Sequence, residues 1–377
     1  MSLVDQTAPR PELATAQRGL FGALGRRSRG RARPRDRRRS FVVTFAATVL
    51  VAAFLSPLVR SVTLSVKDPQ QVADVDSPIY PASPAQFEYR GRSFPIYVVP
   101  MPDGSTKRLA LVKKGLKQSQ FADPSDPAAQ AAPLIKWEGS WRTLQPAYEL
   151  QPHFENFSNV WNEINYPRLL FNTIAIAVLG TIGTVISCTL VAYGFARFRF
   201  PGRNLLFLLV IATIFLPGAV TIIPTFTLFN QIGWVGTWLP LIVPAFFANA
   251  YDVFLVRQYM LTIPREMDEA AAIDGASPFR TLISVIVPQM WPVIAAVAIF
   301  HLVYSWNDFF GPLIYLSSAP ELQTVALGLA QFSGARVAQD PGLIQAATLM
   351  TLVIPVLLFL AFQRFFVRGI VITGVEK

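Results

Sequence analysis

This chain has little of what soluble chemistry is built from. Its 377 residues include one cysteine, Cys188, and two histidines, His153 and His301. A single thiol closes no intrachain disulfide and supplies no cysteine pair for a zinc site. Charged residues make up only 15% of the chain, against about 25% in an ordinary soluble domain. No G-x-x-x-x-G-K-[ST] run occurs, so the chain carries no phosphate-cradling loop of its own. No serine–histidine–acid or paired-carboxylate arrangement can be argued from so few polar groups. Apolar residues fill the space: 52% of the chain is hydrophobic and the mean hydropathy is +0.41. The net charge of +10 does not describe a basic surface, because nine arginines crowd between Arg26 and Arg39. No aromatic residue interleaves with them, which disfavours nucleic acid. A basic block ahead of an apolar run reads as a cytoplasmic anchor.

A membrane-crossing helix needs about 20 mostly apolar residues. Six stretches qualify, at 41–64, 168–196, 204–229, 238–261, 291–316 and 343–366. Prolines such as Pro217, Pro240, Pro244, Pro292 and Pro355 are tolerated where neighbouring helices satisfy the freed backbone. Loop charges set the orientation. Arg197, Arg199 and Arg203 follow the second stretch, Arg257, Arg265 and Arg280 surround the fourth-to-fifth connection, and Arg364, Arg368 and Lys377 lie at the end. The short loops on the other side hold only Arg336. Positive charge accumulates in the cytoplasm, so the expectation is an all-α membrane protein with six helices and both termini inside. The run "RRSFVV" at 38–43 imitates a twin-arginine export signal. No small-residue cleavage site follows it, so the first helix is read as uncleaved.

The expected layout is a basic tail (1–40), the first membrane helix (41–64), an extracytoplasmic insertion (65–166) and a five-helix core (167–377). The insertion carries ten basic and eleven acidic residues. Its β-favouring runs "FPIYVV" and "RLALV" flank Asp103-Gly104, a hairpin signal. The expectation is a small β-rich unit, down to one hairpin, which alone is marginal in water.

The polar stretch "EAAAIDGAS" (269–277) lies in a connecting loop at 262–290. Pro264 suits a first helical turn. Glu266, Asp268 and Glu269 suit the positive end of the helix dipole. Asp274-Gly275 breaks the helix, with Gly275 as its C-terminal cap. Ser277-Pro278 then starts a second helix. A helix–turn–helix with an alanine-lined face is more than a connector requires, so it reads as a surface for a cytoplasmic partner.

Glu269-Ala270-Ala271, three residues, Gly275, nine residues and then Val285-Ile286-Val287-Pro288 resembles the EAA motif of ABC-importer permeases, with valines in place of the usual isoleucine and leucine. The stretches "SWNDFFGPLIYL" (305–316), "ELQTVALGL" (321–329) and "QRFFVRGIVITGVEK" (363–377) resemble the MalG-type branch of carbohydrate permeases. Asp308 stands where many of those have glutamate. The long first external loop resembles that of α-glucoside permeases, which implies a di- or oligosaccharide. The resemblance implies that the polar loop is a coupling helix docking on a separate ATPase. Glu269 would meet a basic side chain, Ala270 and Ala271 would pack in a groove, Gly275 would make the turn, and Asp274, Ala276 and Pro288 would complete the motif. It further implies two ATP-binding subunits that hold the ATP and magnesium, a second permease of the MalF type, an external solute-binding protein, and residence in the cytoplasmic membrane of a bacterium or archaeon. No cofactor or metal is expected in this chain, and no enzymatic activity.

A sugar path needs polar and aromatic groups facing the interior. His301, Tyr304 and Asp308 share one helical face by their spacing, and Asn307, Asn249 and Asp252 join them as candidates. The loop at 317–342 resembles one that reaches toward the binding protein, with Gln323, Thr324, Gln331, Ser333 and Arg336 as contacts. Two other readings are a secondary transporter or channel, and a membrane-anchored interaction protein acting through its insertion. Ion-coupled carriers bury paired charges, which five of the six stretches lack. Neither alternative explains the polar helix–turn–helix.

Overall fold

The computed structural model describes residues 34–74, 76–127, 130, 132–336 and 340–371, with side chains left out at 34–39, 73, 335–336 and 364–371. The expectations placed on Arg26–Arg39, on the Arg336, Arg364 and Arg368 side chains and on Lys377 therefore lie outside the described residues and side chains. The chain divides into two units at Val59/Arg60. The described residues of the first belong to one helix, Pro34–Ser65, whose last residues fall in the second unit. From Ser40 to Val59 every side chain on it is exposed, with Phe54 84% and Phe41 72% accessible. A helix apolar all round has no water-facing side.

Within the second unit, Tyr166–Arg197 forms a single helix of 32 residues. Among the described residues four helices are long and apolar enough to cross a membrane, and up to six if two bent pairs count as one span each. The bent pairs correct the expectation of continuous helices. The third stretch breaks between Phe215 and Gly218, and its axis turns by 99°. The cause is local: Pro217 has no N–H and pushes Leu216 into extended backbone at φ −76°, ψ 117°. The second bend, 82° between Pro278–Gln289 and Trp291–Asn307, falls just before the fifth stretch, which starts at Trp291 as expected but whose helix ends at Asn307 rather than 316. Asp308 is extended, and its carboxylate accepts the Gly311 N–H at 3.0 Å, capping the next helix, Phe310–Leu316. The fourth stretch is interrupted as well. Its middle is a tight turn at Val243–Phe247 followed by Ala248 at φ 59°, ψ 146°.

The insertion is more than a hairpin. β3 (Arg92–Pro100) and β4 (Thr106–Lys113) pair antiparallel around Asp103-Gly104, with Gly104 at φ +82°. Around them β2 (Gln86–Tyr89), β5 (Gln118–Ala122), β6 (Ile135–Glu138) and β7 (Gln145–Pro146) complete a six-stranded sheet, while β1 (Ala82–Pro84) pairs β8 (Tyr148–Leu150). The β2–β3 turn is Arg90-Gly91, both at positive φ, as a type I′ hairpin demands. Val99, Leu109, Leu111 and Phe121 are at most 1% exposed, so the sheet has a core of its own. Its foot is pinned by His153, whose Nε2 lies 2.5 Å from Ser83 Oγ and whose Nδ1 lies 2.9 Å from Glu155. His153 is a structural joint, not a ligand.

Candidate functional site

Two places carry the functional residues: the polar cassette at 262–290 and a cavity in the helical core. The cassette's first helix is Glu266–Ile273. Pro264 precedes it, outside the first turn in which it was expected, and Arg265 is the N-terminal cap position. The C-terminus closes as the sequence predicts. The Gly275 N–H donates to the Ala272 carbonyl (3.0 Å) and the Ala276 N–H to the Ala271 carbonyl (2.9 Å), with Gly275 at φ +74°. This is a Schellman cap. Ser277 accepts the Arg280 N–H at 3.4 Å and caps the following helix. That helix passes through a π-helical turn at Leu282–Ile286 before Val287–Gln289. Pro288 explains the turn: it cannot donate to the carbonyl four residues back, and the widened register absorbs the gap.

The cassette is clamped to the far end of the Tyr166–Arg197 helix. Arg197 Nε lies 3.2 Å from Asp268 Oδ2, with the two side chains only 7% and 22% exposed. Arg197 Nη2 also donates to the Ile263 carbonyl (3.0 Å), and the Tyr193 hydroxyl donates to the Pro278 carbonyl (3.1 Å). Below the clamp, Met260, Leu282, Ile286 and Met290 are at most 1% exposed and pack with Ala192, Tyr193 and Ala196. The cassette is therefore bonded and packed onto the end of that helix. Tyr193, Arg197 and Asp268 had no coupling role in the sequence reading.

The alanine face is corrected. Ala271 is only 8% exposed, so little of its side chain is left for a partner's groove, though it borders an open pocket with Ala270 and Asp274. Glu269, Ala270, Asp274 and Gly275 remain exposed and Ala276 is half-buried. The apolar side chains that do face outward are Ile273 (87%), Phe279 (66%) and Ile283 (51%), which the sequence reading missed. In a chain this apolar, three more hydrophobic residues carry no contrast. Only their place on a polar loop marks them.

The cavity has a volume of about 550 Å³ and is lined by Asn249, Asp252, His301, Tyr304 and Asp308, five of the six residues expected on a path. Asn249 caps the Ala250–Met260 helix by accepting the Asp252 N–H (2.9 Å) and donates through Nδ2 to Asp252 Oδ2 (2.6 Å). His301 Nδ1 is 3.1 Å from Thr184 Oγ1, and Ser305 Oγ is 3.3 Å from its Nε2. Gly180 makes the close approach possible, since a Cβ there would stand 2.6 Å from His301 Nε2. Asn307 does not join the cavity: it is exposed and donates to the Val303 carbonyl. Trp306, next to it, is 5% exposed and packed inside. Thr184, Ala248, Tyr251 and Tyr315 also line the cavity and were not anticipated. Ala248 sits in a backbone region that side-chain-bearing residues avoid. Its N–H donates to Ser187 Oγ (3.1 Å), which itself donates to the Ala245 carbonyl (2.9 Å). Among the described residues no His/Cys/Asp/Glu cluster could hold a metal ion.

The loop after Leu316 is also corrected. Gln323 and Thr324 are 4% and 2% exposed, so their side chains are not available to a binding protein. Asn172 holds the loop on the Tyr166–Arg197 helix, its Nδ2 donating to the Glu321 and Gln323 carbonyls, both at 2.9 Å. Gln331 is exposed and Ser333 half-buried on the Val325–Arg336 helix.

Residues 183–372 match the model of the family described as the binding-protein-dependent transport system inner membrane component. The chain belongs to that family. The matched residues include the cassette and most of the cavity. The osmoprotective compounds uptake permease protein GgtD of Synechocystis is 32% identical over 242 residues, covering 64% of this chain and 80% of that relative. The sn-glycerol-3-phosphate transport system permease protein UgpE of Shigella flexneri is 33% identical over 250 residues, covering 65% and 85%. In fold the chain is similar to a chain of a bacterial ABC transporter for import of the acidic polysaccharide alginate, with TM-score 0.62, 17% identity, and coverage of 89% of this chain and 98% of that one. As a member of the family, this chain is a membrane-embedded transport subunit and not itself an enzyme.

Proposed function

We propose that this chain is one permease of an ATP-driven, binding-protein-dependent sugar importer, working by alternating access with its termini and cassette in the cytoplasm and its β insertion outside. The observation that carries the coupling half of this reading is the clamp. A capped helix–turn–helix presenting Glu269, Ile273 and Phe279 is tied through Arg197 to the same helix whose Thr184 lines the cavity and whose Gly180 lies against the cavity's His301. A force on the cassette reaches the path through one rigid element. The partners implied are two ATP-binding subunits that hold the nucleotide and magnesium, a second permease of the MalF type and an external solute-binding protein, in the cytoplasmic membrane.

The sugar half rests on the cavity's chemistry. Tyr251, Tyr304 and Tyr315 offer aromatic faces, Asn249 and Thr184 offer neutral hydrogen bonds, and Asp252 and Asp308 offer acceptors. No lysine or arginine is among the lining residues. A phosphate or uronate would meet two carboxylates without a counter-charge, at a cost that grows where water is excluded. A neutral di- or oligosaccharide fits better than the anionic solutes named for some relatives.

The test is ATP turnover of the complex in lipid nanodiscs, with its ATPase and binding protein, for wild type against Glu269→Ala plus Gly275→Pro. Loaded binding protein should stimulate the wild type, and the paired change should abolish stimulation while the membrane subunits stay together. Stimulation that survives the paired change would reduce the cassette to a connector.

A further inference from the structure

The β insertion holds a second cavity, outside the residues that match the family. It is a cleft of about 700 Å³, within the roughly 300–1,000 Å³ typical of small-molecule sites. Its floor is the middle of β3 and β7. Its walls are the short helix Trp141–Thr143 on one side and, on the other, β8 with the segment after Pro69–Ala73.

Two aromatic planes meet there at right angles. The Tyr97 and Trp141 rings are 6.3 Å apart at 73°, so one offers a face wherever the other offers an edge. Lys114 Nζ lies 5.0 Å and Arg142 Cζ 5.6 Å from the Trp141 ring centre. Across the cleft the Tyr148 hydroxyl donates to Asp74 Oδ2 at 2.7 Å, and Asp74 Oδ1 accepts the Asp76 N–H at 3.0 Å. Burial, then that hydrogen bond and the Asp74 charge, push the Tyr148 phenol well above the ordinary tyrosine value, so it stays a donor.

Charge decides the class of ligand. Two cations, Lys114 and Arg142, face two anions, Asp74 and Asp76. The cleft is balanced, and an anion or a cation would gain one pair of contacts and meet an equal repulsion. A neutral ligand rich in both donors and acceptors can use every wall. Its apolar ring faces would lie on Tyr97 and Trp141, its hydroxyls would accept from Lys114, Arg142 and the Trp141 indole N–H, and they would donate to the two carboxylates. None of those three donors has a hydrogen-bond acceptor among the described residues.

We propose that this cleft is a binding site for a neutral oligosaccharide of two to three rings, distinct from the cavity in the helical core. The cleft holds sugar on the insertion itself, whether or not the chain moves that sugar. The inference therefore stands apart from the import reading.

The experiment is calorimetric titration of the full-length chain in its permease complex, in nanodiscs and without the solute-binding protein. The probes are maltotriose, cellotriose, sucrose and trehalose, with glucose 6-phosphate and trialanine as controls. Trp141→Ala and, because Trp141 also packs in the sheet, the exposed Gln145→Ala are compared with Asp252→Asn in the core cavity. The expected result is saturable binding of at least one neutral saccharide, weakened at least tenfold by a cleft variant that keeps the wild-type melting midpoint. Asp252→Asn should leave that binding unchanged. Binding that follows Asp252 and ignores both cleft variants would overturn the proposal. So would saturable binding of a control alone, or no saturable binding of any saccharide in the panel.

Discussion

Arg197 is the residue whose removal tests the clamp most sharply. It pairs with Asp268 at 3.2 Å, with 7% and 22% of the two side chains exposed. Its Nε and both Asp268 oxygens lack any directed hydrogen bond, so the contact is an attraction between charges met off axis. Removing one partner of a buried pair costs about 3–5 kcal/mol, because the other charge is left uncompensated. Both Asp268 oxygens are buried, but with 22% of the side chain exposed water has a short way to reach them once the arginine is gone, which places Arg197→Met near the low end, about 3 kcal/mol. At 1.4 kcal/mol per tenfold, the docked cassette loses about a hundredfold in population relative to a released one.

The same geometry predicts that the paired change is milder than either single one. A buried pair with few supporting hydrogen bonds is the kind that apolar replacement matches or improves. Arg197→Met with Asp268→Met removes both desolvation penalties and leaves only the lost bond to the Ile263 carbonyl, about 1 kcal/mol. The assay is a double-mutant cycle read in two ways: stimulated ATP turnover, and amide exchange of the Glu266–Ile273 helix. Each single variant should exchange faster and lose most stimulation, and the double should recover most of both. Wild-type exchange in Arg197→Met would refute the clamp. A double variant worse than both singles would refute the energetics.

At Gly275, φ is +74° and a Cβ would meet nothing within 4 Å. Gly275→Ala therefore pays only for the left-handed backbone, about 1–2 kcal/mol, and Gly275→Asn less; amide exchange at 266–276 should rank them in that order. Ala248→Gly relieves backbone strain worth about 1–3 kcal/mol, so the melting midpoint of the purified complex should rise, and an unchanged or lower midpoint would mean the conformation is not strained. The Asp103 carboxylate is held below its ordinary value by the Ser105 hydroxyl and N–H, which it accepts at 2.6 and 2.9 Å. A depressed acid stabilises the fold above its unfolded value of about 3.9 and loses that contribution as pH falls through the folded one. Asp103→Asn should thus weaken the β3–β4 turn at neutral pH and make no difference at the acid end, read by exchange at 92–113.

The sequence carried the existence of the apolar helices, because a 20-residue apolar run has few other fates, and it carried the caps at Gly275 and Ser277, because their requirements are local. The breaks were also written locally but went unread: Leu216-Pro217 and the cap at Asp308 are ordinary stop signals that the surrounding hydrophobicity hid. The small β-rich insertion was legible from Asp103-Gly104 and its flanking runs, but not its six paired strands, one turn of which is the less familiar Arg90-Gly91. Burial direction was not legible. Ala271 and Ile273 lie two residues apart on one helix, and only the folded packing decides that the alanine is 8% exposed and the isoleucine 87%. The cavity was half legible. Helical spacing found His301, Tyr304 and Asp308, but it could not separate Asn307 from them by contact. It gave no reason to notice Ala248, whose role lies in its backbone.

The Tyr166–Arg197 helix joins these pieces into one mechanism. At 1.5 Å per residue its 32 residues span about 48 Å. At one end Arg168 and Asn172 hold the loop at 321–323 through its carbonyls. In the middle Gly180 and Thr184 meet His301, and Ser187 supports the strained Ala248. At the other end Tyr193 and Arg197 hold the cassette. Three of the elements beside it are bent or interrupted, at Pro217, at Ala248 and at Met290, whereas this helix is continuous. Packed interiors respond to a push by switching between arrangements rather than by deforming smoothly. One unbroken rod among hinged neighbours is therefore the element that can carry a displacement of the cassette to the cavity and to the loop beyond it. The hinges are where the neighbours give way.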